Sequence, residues 1–546
     1  MGKRLWLLIG AMVIASTIVV TGATAKSTGI SGAAQKTTLL FGAEQDVNGF
    51  NTALECCNQF WAVVIGNTPV LRGAWMINPK LQYVPDVITG ATVKAKPFTV
   101  TYNIRKNANW SDGKPVSGAD FVYAWRKIMD PNSQVAGREG YDQIKSAKVS
   151  GKGKRVTFVY KNPFSGWKDL FNGIYPSHVL GGEDFNKIWA DCVCNPKNGK
   201  PIGNGPFLLQ SYRKGVDATL VRNPRWYGPK PKLQRIVFRF IQDTNTQIQA
   251  MRGGEVDAIF PSPQTALTAL QRQSGIAYKA SPGLFHEHID LAGKGDHNPL
   301  MDKVWFRQAI IRGINRGGVV KTFFGDIAPN LKVLNSLVFY QSNSNYKPHF
   351  SRYSFNPNAA RQLLTRNGCR AGGDGIMVCG GVRAEILHTT VGTNRRRVLT
   401  SQILKDNLKA IGIEVNIRLV DANVLFGDGP QSTSAGHWDM VEYAWVTSPD
   451  PGGLSVGWLG CKKPSNNMTY CNRKVTSLLN KSDVTLNAKK RAALFNQANA
   501  LMAVDVPSIP LYATPVILTH KNTVKSMGGP NPTSFGPTWN VHGWKF

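Results

Sequence analysis

Acidic residues are scarce in this chain. Only 33 Asp and Glu stand against 65 Lys and Arg, which gives a formal net charge of +32. The basic residues are scattered, and the two runs of three, at 395–397 and 489–491, have no nucleic-acid recognition pattern around them. We therefore expect no nucleic acid as a partner. A diffuse positive field suits anionic envelope polymers or anionic ligands, and a general basic bias of exported proteins explains it equally well.

Catalytic sequence motifs are also lacking. The chain has no Walker A loop, no Gly-x-Ser-x-Gly turn and no His-Glu-x-x-His motif. His286 and His288 alternate on a predicted strand and share one face, but two histidines fit a polar strand better than a metal site. The sequence therefore predicts no enzyme, with no catalytic residues, no metal ligands and no cofactor.

The first 25 residues have the pattern of a secretion signal. Lys3 and Arg4 precede an uncharged apolar run over residues 5–20, and small residues at 23–25 form a cleavage site. Because no cysteine lies near that site, a lipoprotein is not predicted; an uncleaved membrane anchor is the alternative. Residues 26–36 are predicted to be a linker. We expect an exported protein in the periplasm or another extracytoplasmic location.

Eight cysteines fit an oxidising compartment. Two pairs have a separation of ten that suits local disulfides: Cys369 with Cys379, and Cys461 with Cys471. The other four are close neighbours, Cys56 beside Cys57 and Cys192 near Cys194, and their pairing stays open. A zinc site made by these two close pairs is the alternative, but the usual two-residue gap between ligands is missing.

The chain of 546 residues is long enough for two or three domains. Alternating residues at 98–105 predict a strand, and Ser117 is placed to cap a helix that ends at Asp130. Similar strands and helices alternate through the rest of the chain. This order predicts an α/β fold.

Residues 437–472 are the first candidate for a ligand site. A short apolar strand at 440–445 ends at Trp445, and turn-forming residues follow at 447–453. A loop closed by the second cysteine pair would then return Tyr470 and Asn472 towards the strand end. Aromatic rings beside a few polar groups suit a small-ligand pocket, and an ordinary strand and surface loop is an equally good interpretation.

Eight short motifs occur in order along the chain. They are WSDGKPV at 110–116, GNGPF at 203–207, NPRWYG at 223–228, GEVD at 254–257, FRQAI with NR at 306–316, GIEV at 412–415, PDP at 449–451 and VPSIPLY at 506–512. Together they resemble the large peptide-binding class of extracytoplasmic solute-binding proteins that serve ABC importers, the oligopeptide-, dipeptide- and nickel-binding proteins. The similarity covers nearly all of residues 37–546.

This resemblance implies a two-lobed α/β fold of the type II periplasmic-binding-protein class, with an extra subdomain on lobe I. Lobe I would comprise 37–75, 205–280 and 508–546, the subdomain 76–204, and lobe II 285–505. The hinges would lie near 281–288 and 503–510. A monomer that closes around its ligand and is then recognised by a membrane permease is the implied mechanism.

The resemblance also implies how a ligand is held. Peptide-binding members hold an extended ligand through its main chain, as a strand is added to a sheet edge. The Asp that often holds the ligand's α-amino group corresponds here to Ser448, and the Arg for the terminal carboxylate corresponds to about Thr389. Both charged clamps of a dipeptide binder are thus absent, and Asp450 is the candidate substitute for the first.

The predicted ligand-binding residues come from three stretches. They are Cys57, Asn58 and Phe60, with a vicinal disulfide as part of the wall; Thr389, Asn394 and Arg395; and Trp445, Thr447, Ser448, Asp450, Tyr470 and Asn472. The expected ligand is an oligopeptide. The same scaffold with a metal chelate, a glycan or an anionic metabolite is the second hypothesis, and a secreted enzyme or basic adhesin is the third.

Overall fold

Residues 36–446 and 449–546 are described by the structure, a computed structural model. The predicted signal sequence, and the predicted linker up to residue 35, lie outside the described residues. Within the described ranges, no helix combines the length and the apolar character that a bilayer crossing requires.

The strands in chain order are β1 (Thr38–Ala43), β2 (Trp75–Ile77), β3 (Tyr83–Pro85), β4 (Ile88–Ala95), β5 (Phe98–Ile104), β6 (Ile144–Ser150), β7 (Arg155–Tyr160), β8 (Phe207–Arg213), β9 (Asp217–Arg222), β10 (Arg235–Phe240), β11 (Ala258–Ile259), β12 (Ile276–Leu291), β13 (Cys369–Ala371), β14 (Met377–Cys379), β15 (Val382–Arg383), β16 (Glu385–Val391), β17 (Glu414–Val420), β18 (Met440–Val446) and β19 (Ser508–Lys521).

The α-helices are α1 (Phe60–Ala62), α2 (Gly118–Met129), α3 (Ser177–Leu180), α4 (Thr244–Arg252), α5 (Thr268–Gln271), α6 (Val304–Gly313), α7 (Arg316–Phe324), α8 (Pro357–Arg366), α9 (Arg395–Lys409), α10 (Ala422–Leu425), α11 (Gly452–Leu459), α12 (Arg473–Asp483) and α13 (Ala488–Asp505). Helix α1 continues as a π-helical segment, Val63–Asn67.

The largest sheet has ten strands in the order β17-β16-β18-β12-β19-β11-β1-β10-β9-β8. We call strands β8, β9, β10, β1 and β11 the first half-sheet, and strands β18, β16 and β17 the second half-sheet. The mixture of parallel and antiparallel pairs includes β1 parallel to β10 and β16 parallel to β17. Helices cover the strands, as the alternating sequence pattern predicted.

The two long strands β12 and β19 join the half-sheets. Residues 276–281 of β12 pair with 516–521 of β19 beside β11, whereas residues 285–291 pair with β18 on their other side. The register shifts between Ser281 and Phe285. At this point the backbones approach so closely that a Cβ on Gly283 would lie 1.8 Å from the carbonyl oxygen of Thr514. Only glycine fits there.

Separate hydrophobic cores lie on the two sides of the crossing, the point at residues 281–285 where β12 and β19 pass from one half-sheet to the other. One core contains Phe41, Trp61 and Phe238 with side chains from the first half-sheet, and the other contains Ile310, Leu404 and Val441 with side chains from the second. Each core is a contiguous set of buried apolar contacts, which is the usual sign of an independent packing unit.

A smaller sheet in the order β4-β5-β7-β6 packs with α2 within residues 88–160. The predicted start of α2 is confirmed, since Ser117 and Asp120 form a reciprocal capping box there. The other oxygen of Asp120 accepts hydrogen bonds from the backbone and hydroxyl of Ser177 at 2.9 and 2.7 Å. The cap therefore also fixes the loop that leads to α3.

The segment after Pro451 differs from the sequence prediction. A loop was expected, but the structure has helix α11, with Val456, Trp458 and Leu459 at most 3% exposed. Burial of these apolar side chains outweighs the low helix propensity of the glycines in the segment. Strand β11 is only two residues long, Ala258–Ile259.

Candidate functional site

A cleft of about 710 Å³ lies between the two half-sheets, and we call it the central cleft. One wall is built from segments 44–67, 136–141, 169–175 and 260–263, and the opposite wall from segments 391–397, 422–433, 443–446 and 457–467. Residues of β12 and β19 around the crossing lie between the walls. Pockets for small ligands usually have volumes of roughly 300–1,000 Å³, so the cleft is large enough for one.

The base of the central cleft holds a buried ionic cluster. Glu287 on β12 accepts from Arg397 Nε at 2.6 Å and from Arg396 Nη2 at 3.2 Å. The exposed fractions of the Glu287, Arg396 and Arg397 side chains are 1%, 3% and 11%. Arg396 also donates to the hydroxyl of Tyr512, and its guanidinium lies 5.3 Å from the centre of that ring.

The helix that carries these arginines explains why Glu287 is needed. Asn394 caps α9 by accepting from the backbone N–H of Arg397 at 3.2 Å, so both arginines lie in the first turn. A helix N-terminus favours negative charge, and two cations there require a counter-ion. Burial disfavours the charged form of Glu287, but the two guanidinium groups outweigh it and hold the pKa of this carboxyl below its usual range.

Strand β18 presents an open edge to the central cleft. On one side it pairs with β12 along its whole length, from Met440 to Val446. On the other side, β16 pairs with it only at Met440 and Val441, and Thr390 donates to the carbonyl of Glu442. Among the described residues, no strand pairs with that edge from Tyr443 to Val446, the part that lines the cleft.

Hydrogen bonds connect the two walls directly. Gln59 Nε2 donates to Asn423 Oδ1 at 2.9 Å, and Asn394 Nδ2 donates to Ser262 Oγ at 3.3 Å. The Ser262 hydroxyl in turn donates to Glu44 at 2.5 Å. These contacts link the loops after β1 and β11 to the helices of the second half-sheet.

The loop after the small sheet contacts Asp483, the last residue of α12. The backbone N–H of Ser165 donates to the backbone carbonyl oxygen of Asp483 at 2.7 Å. Burial, reinforced by the charge of Asp450, raises the pKa of the Asp483 carboxyl to about 7. This side chain therefore titrates near neutral pH.

Four of the predicted ligand-binding residues line the central cleft: Asn58, Phe60, Asn394 and Trp445. The Phe60 ring stacks on Phe260 at 5.8 Å and meets Phe285 edge-on at 5.2 Å between centroids. Trp445 is the last residue but one of β18, which extends one residue beyond the predicted strand. The cleft thus combines aromatic surfaces with an exposed strand edge.

Other predicted residues lie behind or beside the described lining. Cys57 is buried, forms a disulfide with Cys56 and faces Gly49. Thr389 is fully buried in β16, where its hydroxyl accepts from Arg418 Nε at 3.1 Å. Arg395 is exposed, and the next two arginines turn towards the cleft instead.

The remaining predicted residues lie elsewhere. Asp450 forms an ion pair with Arg491. Tyr470 and Asn472 both donate to Asp505 Oδ2, at 3.0 and 2.7 Å, beside a separate cavity of about 490 Å³. Thr447 and Ser448 lie outside the described residues, so the structure says nothing about their place.

Disulfides join all eight cysteines in neighbouring pairs. The structure contains Cys369–Cys379 and Cys461–Cys471, and it also pairs Cys56 with Cys57 and Cys192 with Cys194. In the structure, the sulfurs of the two close pairs are used in local bonds and are not shared between the pairs.

The sequence alone did not reveal several residues that line the central cleft. No ligand motif surrounds Glu287 on β12, or Gln59, Glu44 and Glu139 in their loops. A signal for Arg396 existed in the run of three arginines, but the position of the helix cap decides which members face inward.

The fold and cleft define an extracellular solute-binding protein with two packing units around a ligand cleft. The chain belongs to the bacterial extracellular solute-binding proteins, family 5, whose model matches residues 82–466. This confirms the family that the ordered motifs indicated.

Individual relatives agree with this assignment. Oligopeptide-binding protein OppA of Mycobacterium tuberculosis is 24% identical over 447 residues, which is 80% of this chain and 72% of that protein. The solved structure of a periplasmic EDTA-binding protein, EppA, superposes with a TM-score of 0.83 at 22% identity, over 94% of this chain and 97% of that one.

A second solved structure is AppA from Bacillus subtilis in complex with a nonapeptide. Its TM-score is 0.81 at 20% identity, over 94% of this chain and 99% of that chain. These similarities confirm the predicted α/β fold of the type II periplasmic-binding-protein class.

Proposed function

We propose that this protein captures oligopeptides in the central cleft and delivers them to the permease of an ABC importer. The observation that carries the proposal is the open edge of β18, where the backbone from Tyr443 to Val446 faces the cleft without a strand partner among the described residues. Relatives named as oligopeptide-binding proteins support the same ligand class.

An extended peptide would bind to this edge as an added strand. Its N–H and C=O groups would pair with the backbone of β18, and its side chains would alternate between the two walls. Thr447 and Ser448, which follow this edge in the sequence, remain proposed ligand-binding residues. Thr389, which is buried and bonded to Arg418, leaves no terminal-carboxylate clamp at that position, so recognition through the main chain suits peptides longer than two residues.

Closure of two lobes would enclose the peptide. We propose that residues 37–75, 205–280 and 508–546, with subdomain 76–204, form lobe I, and that residues 285–505 form lobe II. The pairing of β12 and β19 favours one refinement: residues 508–514 pair with the second half of β12, so the second hinge would lie near 514–516 and not at 503–510. Ligand contacts on both walls would then shift the population towards the closed form.

The remaining properties follow from this role. The protein would be exported by the N-terminal signal, remain outside the cytoplasm without a lipid anchor, and act as a monomer. It would release its ligand unchanged and catalyse no reaction. Its partners would be the peptide and the membrane subunits that recognise the closed form.

Native mass spectrometry of the gently purified protein tests the ligand class. Co-purified peptides of mixed sequence are the expected result. A single non-peptide mass, such as a metal chelate, a glycan or an anionic metabolite, would overturn the proposal in favour of another cargo on the same scaffold.

A backbone N-methyl scan tests the binding mode. Each peptide bond of a bound peptide is methylated in turn, and affinity is measured by calorimetry. Because alternate N–H groups of an added strand point to the sheet edge, affinity should fall with a period of two, by about fivefold at each sensitive position. Equal loss at every position would exclude strand addition, and a matched Cα-methyl scan controls for bulk.

A further inference from the structure

The central cleft has the opposite charge balance to the rest of the chain. Basic residues outnumber acidic ones by 65 to 33 over the whole sequence. In the described lining, by contrast, carboxylates outnumber guanidinium groups and no lysine occurs. The charged lining residues are Glu44, Glu55, Glu139, Asp169, Glu287, Arg396 and Arg397.

Glu287 offsets part of the charge of the two arginines. Arg396 is 3% exposed, and both guanidinium groups bond to Glu287, which is 1% exposed. One carboxylate against two guanidinium groups leaves one positive charge at the base of the cleft. The four other carboxylates of the described lining exceed that charge by three, so the lining as a whole is acidic.

Burial disfavours the charged form of two of these carboxyls, and a nearby cation would stabilise that form. Burial raises the pKa of Glu44, although Ser262 donates to it and the arginines oppose the shift. Burial likewise raises the pKa of Glu139, against the weaker influence of Lys463. Within the described residues, no cationic group lies within ion-pair distance of either carboxylate.

The two carboxyls come from different parts of the lining. Glu44 follows β1 near the base of the cleft, beside Ser262. Glu139 lies in the loop after α2 and approaches the opposite wall, since a Cβ on Gly457 would be 3.2 Å from its carboxylate. Glu55 is exposed and adds a third negative charge.

Aromatic rings surround these charges, which suits long cationic side chains. Phe60, Phe260, Phe285 and Trp445 line the same cleft. Lysine and arginine bury their aliphatic stems along apolar surface and place their charge over aromatic faces or beside carboxylates. The wall chemistry therefore matches a cation on a hydrophobic stem better than a free carboxylate.

We propose that the central cleft selects peptides carrying Lys or Arg, with Glu44 and Glu139 as the specificity-determining residues. This inference rests on the proposed peptide-binding function and narrows its substrate class. A positive ligand gains from pairing with a half-buried carboxylate, and a negative ligand is repelled by it.

Calorimetry with an alanine pentapeptide series tests the proposal. One position at a time carries Lys, norleucine or Glu, with the termini unchanged. At the best position, the Lys peptide should bind at least about tenfold more tightly than the Glu peptide, with norleucine between them. The preference should shrink as the salt concentration rises from about 0.05 M to about 0.5 M.

Isosteric variants locate the effect. Glu139→Gln and Glu44→Gln should each reduce the ratio of Lys-peptide affinity to norleucine-peptide affinity by about fivefold. Glu255→Gln is the matched control, because Glu255 is exposed outside the cleft and pairs with Arg239 at 3.6 Å. It removes the same charge and should leave the preference intact.

The outcomes separate this inference from the function on which it rests. Norleucine or Glu peptides that bind as tightly as the Lys peptides would refute the charge preference while peptide capture stands. The same refutation would follow if co-purified peptides were no richer in Lys and Arg than the bulk peptides of the extract. Failure of the protein to bind or retain any peptide would refute both proposals.

Discussion

Replacing Glu287 by Gln should strongly destabilise the protein, because this carboxylate balances two guanidinium groups beneath the central cleft. It bonds to Arg397 at 2.6 Å and to Arg396 at 3.2 Å, and Thr514 lies 3.5 Å from it. Gln preserves the shape of the side chain but removes its charge. Arg396 would then remain buried beside Tyr512 without its ion-pair partner.

The magnitude follows from the burial of the cluster. Removing one partner of a buried ion pair usually costs about 3–5 kcal/mol, because the remaining charge is desolvated without compensation. Arg397 is 11% exposed and can recover some hydration, so the lower part of that range applies. We expect a loss of roughly 3 kcal/mol, against total stabilities of about 5–15 kcal/mol for typical proteins.

Urea unfolding followed by tryptophan fluorescence measures this loss. Glu255→Gln is the control, since its ion pair with Arg239 is exposed and should be worth at most about 1 kcal/mol. If Glu287→Gln cost no more than the control, the assignment of a strongly coupled buried cluster would be refuted.

The pH dependence of the same variant has a defined sign. The pKa of Glu287 is lower in the folded protein than in the unfolded chain, so its stabilisation is complete above the unfolded value, near 4.5. The difference between wild type and variant should therefore be constant at neutral pH. It should shrink only in more acidic solution, as the pH falls through the depressed value.

Two further predictions concern Asp483 and the hydrogen bond between the walls. The stability of the wild-type protein should fall by up to roughly 4 kcal/mol between about pH 4 and pH 7, because the pKa of the buried Asp483 carboxyl is raised to about 7 in the folded protein. Asp483→Asn should abolish this fall. Thermal unfolding of both proteins at pH 5 and pH 8 measures this, and a pH-independent difference would contradict it. A double-mutant cycle of Gln59→Ala and Asn423→Ala should show about 1 kcal/mol of coupling in peptide affinity by calorimetry, because their 2.9 Å hydrogen bond joins the two walls. Strictly additive effects would show that this bond does not contribute to closure.

The sequence predicted elements well where local chemistry decides them. Ser117 and its capping box begin α2, because side-chain caps are read from a few neighbouring residues. The strand predicted over 440–445 is β18, which extends one residue further, to Val446. Helix α11 was missed because its apolar residues are stabilised by burial, which no local pattern reports.

The central cleft was harder to predict because distant parts of the chain build it. Glu287 and Arg396 are 109 residues apart, and only the register of β12 beside β18 brings the carboxylate to the first turn of α9. Tyr470 and Asn472 were expected to return to the end of β18. Instead both side chains donate to Asp505, at the end of α13, beside another cavity. Asp505 lies 35 residues after Tyr470 and 33 residues after Asn472 in the chain.

The position of the ionic cluster also bears on how a closing motion can be confined. Glu287 follows the register shift of β12 by only two residues, and it ties that strand to α9 within the second half-sheet. A buried pair of this kind resists local deformation, because separating the charges exposes each of them to an environment that cannot solvate it. Under the proposed closure, relative motion of the walls would be absorbed before this cluster, where Gly283 passes the carbonyl of Thr514 with no room for a side chain. On that proposal, the same short stretch of β12 would contain both the point where the backbone bends and the anchor of the second wall.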